Sequence, residues 1–498
     1  MVEIDSALNS LPWDAMALAN RKLISISVYS KMTMTLQKLC NHCGSFHKLF
    51  TVPSASFRLI PQRNNWRKNY AKREAKKQIV HEYVGDSAKK TPIIYAWGTA
   101  SSGALGIASY VRPELKFRGK AFFLEKINRP ARVRFFDIQE LKPYDIACGY
   151  GFTVIAVKFH SKKLVLGTGI NTDSQIGFHE VPKGSGRVLD QLIEPSQLRL
   201  PLQKPDDCKV TTLACGRAHT VVVVENEGVF TLGNNSYGQC GRSVVEAEDY
   251  SKNQAINKVT ELPSNIIKVV CGQDHTLFLT DTGEVYSCGL GADGQTGLGH
   301  YKNTGKPEKV KGDIEGVKIV SLGSRGDCTL AVSESGELFG WGNSEYNQLG
   351  LVTNETQVNV PRHINVPHCG KVVKAVAGGS ICALLNDKGQ VFVWGYGILG
   401  KGPKLEITSS PSQIPEPIFG CNELSSDTKV VDIESGLTYL AAQNDKGDIY
   451  TWGRNNNGVL GLGENKNQFF PLRISLPAQA VKMACGLDHM VALCKSFT

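Results

Sequence analysis

Seven apolar, strand-like segments of this 498-residue chain end in glycine, at Trp97-Gly98, Leu166-Gly167, Leu232-Gly233, Cys288-Gly289, Trp341-Gly342, Trp394-Gly395 and Trp452-Gly453. Successive glycines lie 53 to 69 residues apart. A recurring period of this length marks a repeat architecture, in which one supersecondary unit is stacked many times. A second series interleaves with the first: Cys148-Gly149, Cys215-Gly216, Cys271-Gly272, Leu322-Gly323, Ala377-Gly378, Ser435-Gly436 and Cys485-Gly486. Function is therefore sought on a set of similar units rather than in one buried cleft.

Between the two series lies a hairpin. From Cys271 to Gly289 the chain reads as an apolar strand (Leu277, Leu279), the turn Asp281-Thr282-Gly283, and a second strand (Val285, Tyr286). The turn recurs as Asn226-Glu227-Gly228, Glu334-Ser335-Gly336, Asp387-Lys388-Gly389 and Asp445-Lys446-Gly447. A three-residue hairpin loop needs a left-handed residue at its end, which glycine supplies without a Cβ penalty. With alternating runs such as Val391-Phe392-Val393-Trp394, the expected class is all-β. The second unit departs from the pattern: Leu166 takes the place of Trp, and His160-Ser161-Lys162-Lys163 lacks the hairpin glycine.

The order of the series sets the topology. The first repeat element is of the Trp-Gly type (93–98) and the last of the Cys-Gly type (484–493), so each end carries half a unit. Pairing the halves makes one composite blade and removes exposed sheet edges. The expectation is a seven-bladed β-propeller closed by its N- and C-terminal strands over residues 81–498, preceded by a disordered basic extension over 1–80.

Runs such as Trp341-Gly342-Asn343 through Gln348-Leu349-Gly350, Gly233 to Gly241, and Trp452-Gly453-Arg454-Asn455 through Leu460-Gly461 resemble the regulator-of-chromosome-condensation repeat. Cys215 to His219, Cys271 to His275 and Cys485 to His489 look like that repeat's other half. The resemblance covers about residues 93 to 494. Propellers built on Trp-Asp repeats have a shorter period of roughly 40 to 45 residues. Tyr83-Val84-Gly85, Cys288 to Tyr301, Trp394 to Pro403 and Asp488 to Val491 resemble a mitochondrial, exchange-factor branch of the family. This resemblance implies nucleotide exchange on a mitochondrial GTPase of the dynamin-type fusion class, with peripheral inner-membrane association. The alternative is a factor that binds mitochondrial ribosomal RNA during large-subunit assembly.

The N-terminal segment points to the same compartment. From Ala15 to Arg73 there is no Asp or Glu and there are eleven Lys and Arg, the composition of a mitochondrial transit peptide. Glu3, Asp5 and Asp14 spoil its first turn, whereas a start at Met32 or Met34 has the expected composition; a plain basic tail is the other reading. No run of 18 apolar residues exists, so no transmembrane segment is expected. Residues 1–90 hold nine of the chain's ten surplus positive charges. The ring itself is nearly neutral, which removes bulk charge as a route to nucleic acid and leaves only a local patch. One such patch is Arg112, Lys116, Arg118, Lys120, Lys126, Arg129, Arg132 and Arg134, interleaved with Phe117, Phe122 and Phe123. Bases for phosphates and aromatics for stacking suit RNA, while the same pattern also arises in a half-buried connection.

Several motifs read as structure. Gly395 to Gly400 and Gly289 to Gly294 match G-x-G-x-x-G, but no helix follows to present its N-terminus to a pyrophosphate. No G-x-x-x-x-G-K-[ST] loop is present. His219, His275 and His489 share one repeat position, which favours hydrogen bonding between a loop and the next blade over metal binding. Cys148, Cys215, Cys271 and Cys485 likewise share a position and are expected to be free, packed thiols. Cys40-Asn41-His42-Cys43 has metal-like spacing without a second pair nearby. No catalytic residue, cofactor or metal is assigned, and the chain is read as an interaction ring rather than an enzyme. The working surface is expected on the connections 107–146, 177–208 and 402–429.

Overall fold

The run His219–Val224 shows why these segments are strands. Its six residues are buried throughout, as expected for a short apolar run covered on both edges and both faces. Val210–Cys215 pairs along one edge and Gly228–Gly233 along the other. The computed structural model describes residues 91–496 apart from 112–115, 118–119, 122–123, 182, 206–208 and 264; the side chains of 112–123 are also outside the description. The expected presequence, the starts at Met32 and Met34, the pair Cys40 and Cys43, Arg112, Arg118 and the side chains of Lys116 and Lys120 lie outside the described residues.

Seven four-stranded antiparallel sheets form the blades of a β-propeller. Six are sequential, each running from an inner to an outer strand: Lys142–Cys148 to Gln191–Leu198, Val210–Cys215 to Asn257–Val259, Ile266–Cys271 to Thr304–Lys309, Ile319–Gly323 to Gln357–Ile364, Val372–Ala377 to Ile407–Gln413, and Val430–Ser435 to Gln468–Arg473. The seventh is composite. Gln479–Cys485 and His489–Lys495 supply its inner half, Pro92–Thr99 and Lys126–Arg132 its outer half. Ile94 faces Leu493 and Trp97 faces Met490 across the join. The ring is closed as the half-units at the two ends require.

Blades pack face to face through apolar layers. Leu330, Val332 and Leu349 of one blade meet Leu384, Phe392 and Trp394 of the next. Trp97, Trp341, Trp394 and Trp452 are wholly buried; at 150–250 Å² each, burial of such a side chain contributes roughly 4–6 kcal/mol before entropy is charged against it. Polar ties cross the same layers. Trp97, Trp341 and Trp394 donate Nε1–H to the carbonyls of Val459, Gln295 and Gln348 at 2.8, 3.0 and 2.8 Å. Thr220 and Thr276 donate to the carbonyls of Gln175 and Gln239. His219 Nε2 lies 3.0 Å from Thr276 Oγ1, and His489 Nε2 lies 2.9 Å from Thr153 Oγ1. The shared histidine position thus joins neighbouring blades. Burial drives the pKa of His219 and His275 down to about 3, so both rings are neutral.

Two glycine assignments shift in register. In the second unit the equivalent of Gly233, which faces His219, is Gly169, which faces Phe152. Gly169 has a φ of +114°. Gly167 instead faces Val154, and Thr168 rather than Leu166 stands in the Trp position, donating to the carbonyls of Gly103 and Leu192. The hairpin strands here, Phe152–Phe159 and Lys162–Ile170, are longer than the usual six residues and turn at His160 with φ +51°. In the fifth unit Gly323 faces Leu330, as Val270 faces Leu277. The pair equivalent to Cys271-Gly272 is therefore Ser324-Arg325, and Leu322-Gly323 lies two residues early.

This arrangement gives the ring two ends. The glycine end carries the loops that follow the inner strands and the connections from third to fourth strand. The other, hairpin end carries the three-residue turns and the crossings between blades.

Candidate functional site

Each inner strand has one edge without a strand partner, and the seven edges surround a bore holding a cavity of about 490 Å³. An open strand edge facing a wet space tolerates charge, and the bore has it. Lys268, Lys374 and Lys482, at equivalent positions of their inner strands, line it together with Asp432 and Glu434. Lys374 Nζ bridges Asp432 Oδ1 at 2.6 Å and Glu434 Oε1 at 2.8 Å. Burial pushes Glu434 up, but the Lys374 ammonium outweighs it and holds the carboxyl below its ordinary value. Lys482 Nζ pairs with Asp145. Lys268 Nζ donates to the carbonyl of Leu322 at 3.3 Å, and burial, reinforced by Lys374, lowers its pKa to about 8.

At the glycine end the mouth is built from the loops that follow the inner strands. Arg217 forks onto Asp274 through Nε at 3.1 Å and Nη2 at 2.8 Å, and its side chain is 48% exposed. Asp327 accepts from Gln273 Nε2 at 2.7 Å and Gln295 Nε2 at 3.3 Å. Burial, then the charges of Asp293 and Asp274, raise its pKa to about 7. Asp293 accepts from Gln357 and Asn343, and Asp173 from Asn234. Asp173 of the second unit, Asp274 and Asp293 of the fourth and Asp327 of the fifth thus form an arc of carboxylates, positioned by amide donors and by Arg217 of the third unit.

The basic patch lies elsewhere. Lys126, Arg129 and Arg132 belong to the outer strand of the composite blade, and Arg134 follows it. Lys126, Arg129 and Arg134 are exposed, whereas Arg132 Nε pairs with Asp137 at 2.9 Å. The neighbouring Asn128 carbonyl accepts from Gly463 N–H at 2.7 Å, so this strand also covers a loop of the preceding blade. The expected working connections are not brought together on one face. Residues 177–181 and 183–190 lie at the glycine end and 199–205 at the hairpin end, with a strand between them, and 402–429 divides in the same way. The mouth residues Arg217, Asp274 and Asp327 are absent from the expected site. Their signal was available, since all follow the inner strands at fixed offsets within the repeat.

Among the described residues no group of three or more His, Cys, Asp or Glu is arranged to hold a metal ion. Cys148, Cys215, Cys271 and Cys485 are buried free thiols, and burial pushes Cys215, Cys271 and Cys485 above the usual thiol range. Among the described residues no helix is long and apolar enough to cross a membrane.

Comparison with known proteins places these features. An RCC1-like domain matches residues 81–418, and a regulator of chromosome condensation (RCC1) repeat matches 446–493. The chain is 47% identical over 444 residues to the mouse RCC1-like G exchanging factor-like protein, covering 88% of this chain and 96% of that protein. It is 48% identical over 418 residues to the human protein of the same name, covering 84% and 90%. The crystal structure of human WBSCR16 superposes with a TM-score of 0.77 at 48% identity, covering 81% of this chain and all of that one. Yeast RCC1 (Prp20) bound to Kap60 shares the fold, with a TM-score of 0.65 at 19% identity over 92% of this chain and 97% of that one.

Proposed function

The chain belongs to the RCC1-like domain family, and from that premise we propose that it is a guanine-nucleotide exchange factor for a mitochondrial GTPase. The observation that carries this reading is the near end-to-end match, at 47–48% identity, to relatives named for G exchange. Prp20p from Saccharomyces cerevisiae, a propeller 20% identical to this chain, binds Gsp1p and histones. Exchange requires only that the ring bind the nucleotide-free GTPase more tightly than the loaded one. A GTPase emptied of phosphates and magnesium leaves a lysine and backbone N–H donors without their anion. At the glycine end Asp173 and Asp293, both partly exposed, are of the right charge to face them, while Asp274 is buried and paired with Arg217.

The finer assignment is a dynamin-type fusion GTPase at the inner membrane. The acid-free stretch Ala15–Arg73 supports a mitochondrial address. Release of a fluorescent GDP from such a GTPase is expected to accelerate saturably with added protein, and Asp173→Lys with Asp293→Lys to blunt the effect. Unchanged release with every mitochondrial GTPase tried sinks the reading. A second reading, ribosomal RNA binding during large-subunit assembly, draws on exposed Lys126, Arg129 and Arg134. Crosslinking in organelles decides it: recovered ribosomal RNA must fall when these three become Glu.

A further inference from the structure

Arg325 stands where the other six repeats carry glycine, at Gly149, Gly216, Gly272, Gly378, Gly436 and Gly486. Five of those glycines make room for a ring. A Cβ there would lie 2.0–2.5 Å from the side chain of Phe152, His219, His275, Tyr439 or His489. In the fifth unit the ring position holds Cys328, and the space goes to an arginine.

The Arg325 side chain crosses the bore at the level where the inner strands end. Its Nη1 donates at 3.1 Å to the carbonyl of Cys215, which closes the inner strand two blades away. The guanidinium carbon lies 5.7 Å from the ring centre of Tyr150. Arg325 is only 9% exposed, and its Nε and Nη2 have no hydrogen-bond partner in the protein; neither has the Tyr150 hydroxyl. Nε and Nη2 lie on the same edge of the guanidinium and form a two-pronged fork, the geometry that matches the paired oxygens of a carboxylate or phosphate. A buried charged group with idle donors is costly, which favours an occupant for that edge. Within the bore itself, Arg325, Lys268, Lys374 and Lys482 stand against three carboxylates, Asp145, Asp432 and Glu434, one positive charge in surplus.

We propose that the bore is a binding site for a small oxyanion, a carboxylate or phosphate group, held by the free edge of Arg325 beside Tyr150. The nearby acids do not compete for the fork, because Asp274 is taken by Arg217 and Asp327 by Gln273 and Gln295. Lys268, whose Nζ donates to the carbonyl of Leu322 rather than to a carboxylate, adds to the attraction. This site is independent of the exchange reading, which concerns the outer face of the glycine end.

Calorimetric titration of the whole protein with inorganic phosphate, and separately with acetate, at constant ionic strength tests the proposal. One saturable site is expected for at least one anion, and which anion binds tells the two sources apart. Arg325→Gly, which restores the residue of the other six repeats, is expected to weaken binding by about tenfold or more, and Arg325→Lys, which keeps the charge but loses the fork, by a smaller factor. Failure of both anions to saturate, or equal binding by Arg325→Gly, overturns it. Should that variant fail to fold, the ¹⁵Nε resonance of Arg325 in the wild-type protein decides. A saturating shift with phosphate or acetate but not chloride upholds the site, and an unmoved resonance refutes it.

Discussion

Trp97, in the first strand of the ring, donates its indole N–H to the carbonyl of Val459, 362 residues later, at 2.8 Å. The bond spans the composite blade and the blade before it, so chain closure rests on a polar contact as well as on strand pairing. Equivalent bonds hold Trp341 and Trp394. Trp452 differs: its buried Nε1 has no partner in the protein. The loop that would supply one is short, running from Gly395 to Leu399-Gly400 where the preceding repeat runs from Gly342 to Leu349-Gly350.

A Trp→Phe series should therefore divide. At 97, 341 and 394 the substitution is expected to cost about 1–2 kcal/mol, for the lost hydrogen bond and a slightly smaller ring. At 452 it removes a donor that was already idle and should be close to neutral. Urea denaturation of the four variants checks this; equal losses at all four positions would refute it.

Gly342 tests the repeat glycine itself. Its φ is +95°, and an added Cβ would sit 2.2 Å from the carbonyl oxygen of Asp327. Gly184 has a φ of +81° with nothing within 4 Å of its Cβ position. Gly184→Ala should cost only the strain of a left-handed backbone, about 1 kcal/mol, while Gly342→Ala adds a backbone clash and should cost about 3 kcal/mol or more. Thermal unfolding of both variants measures the difference.

The buried histidines make stability depend on pH. His219 and His275 have folded-state pKa values of about 3, against an ordinary unfolded value near 6.5. The fold therefore favours the neutral ring. Their contribution is fully present above about pH 6.5 and is lost as pH falls toward 3, because only the unfolded chain takes up the protons. Near pH 5 each should add about one proton to the uptake on unfolding. His219→Gln and His275→Gln are each expected to flatten the pH dependence of the urea midpoint. Comparison with the wild type is required because Asp327, raised to about 7, titrates in the same range with the opposite slope.

Lys374 holds two carboxylates in the bore, Asp432 and Glu434, at 2.6 and 2.8 Å. Lys374→Met leaves both without their cation and should cost about 2 kcal/mol, less than the roughly 3–5 kcal/mol of a fully dry pair because solvent reaches the bore. Asp432→Asn with Glu434→Gln in the same chain should recover part of the loss. A double-mutant cycle by denaturation reads the coupling, and a purely additive result counts against the bridge.

Much of the fold was legible in the chain itself. Turn glycines and apolar strands repeat because each blade solves the same local problem, reversing direction in a few residues. The half-units at 93–98 and 484–493 announced the closure, since an unpaired strand edge has to be covered. Arg325 was legible too. Gly216, Gly272, Gly378 and Gly436 each precede the strand-ending glycine of their unit by seventeen residues, and Arg325 precedes Gly342 by the same distance. The decoy was Leu322-Gly323, two residues early.

What the sequence by itself determined is what short-range geometry dictates: the strand class, the hairpin turns, the number of units and the pairing of the two ends. Tertiary structure alone decided the register of Gly169 on its longer hairpin, the splitting of the long connections between two faces, and the meeting of Arg325 with Cys215 and of Lys374 with Asp432 and Glu434. Those contacts join residues 58 to 110 positions apart. Which of them meet is set by which strand edges face the bore, and that is fixed only once seven blades have closed around it.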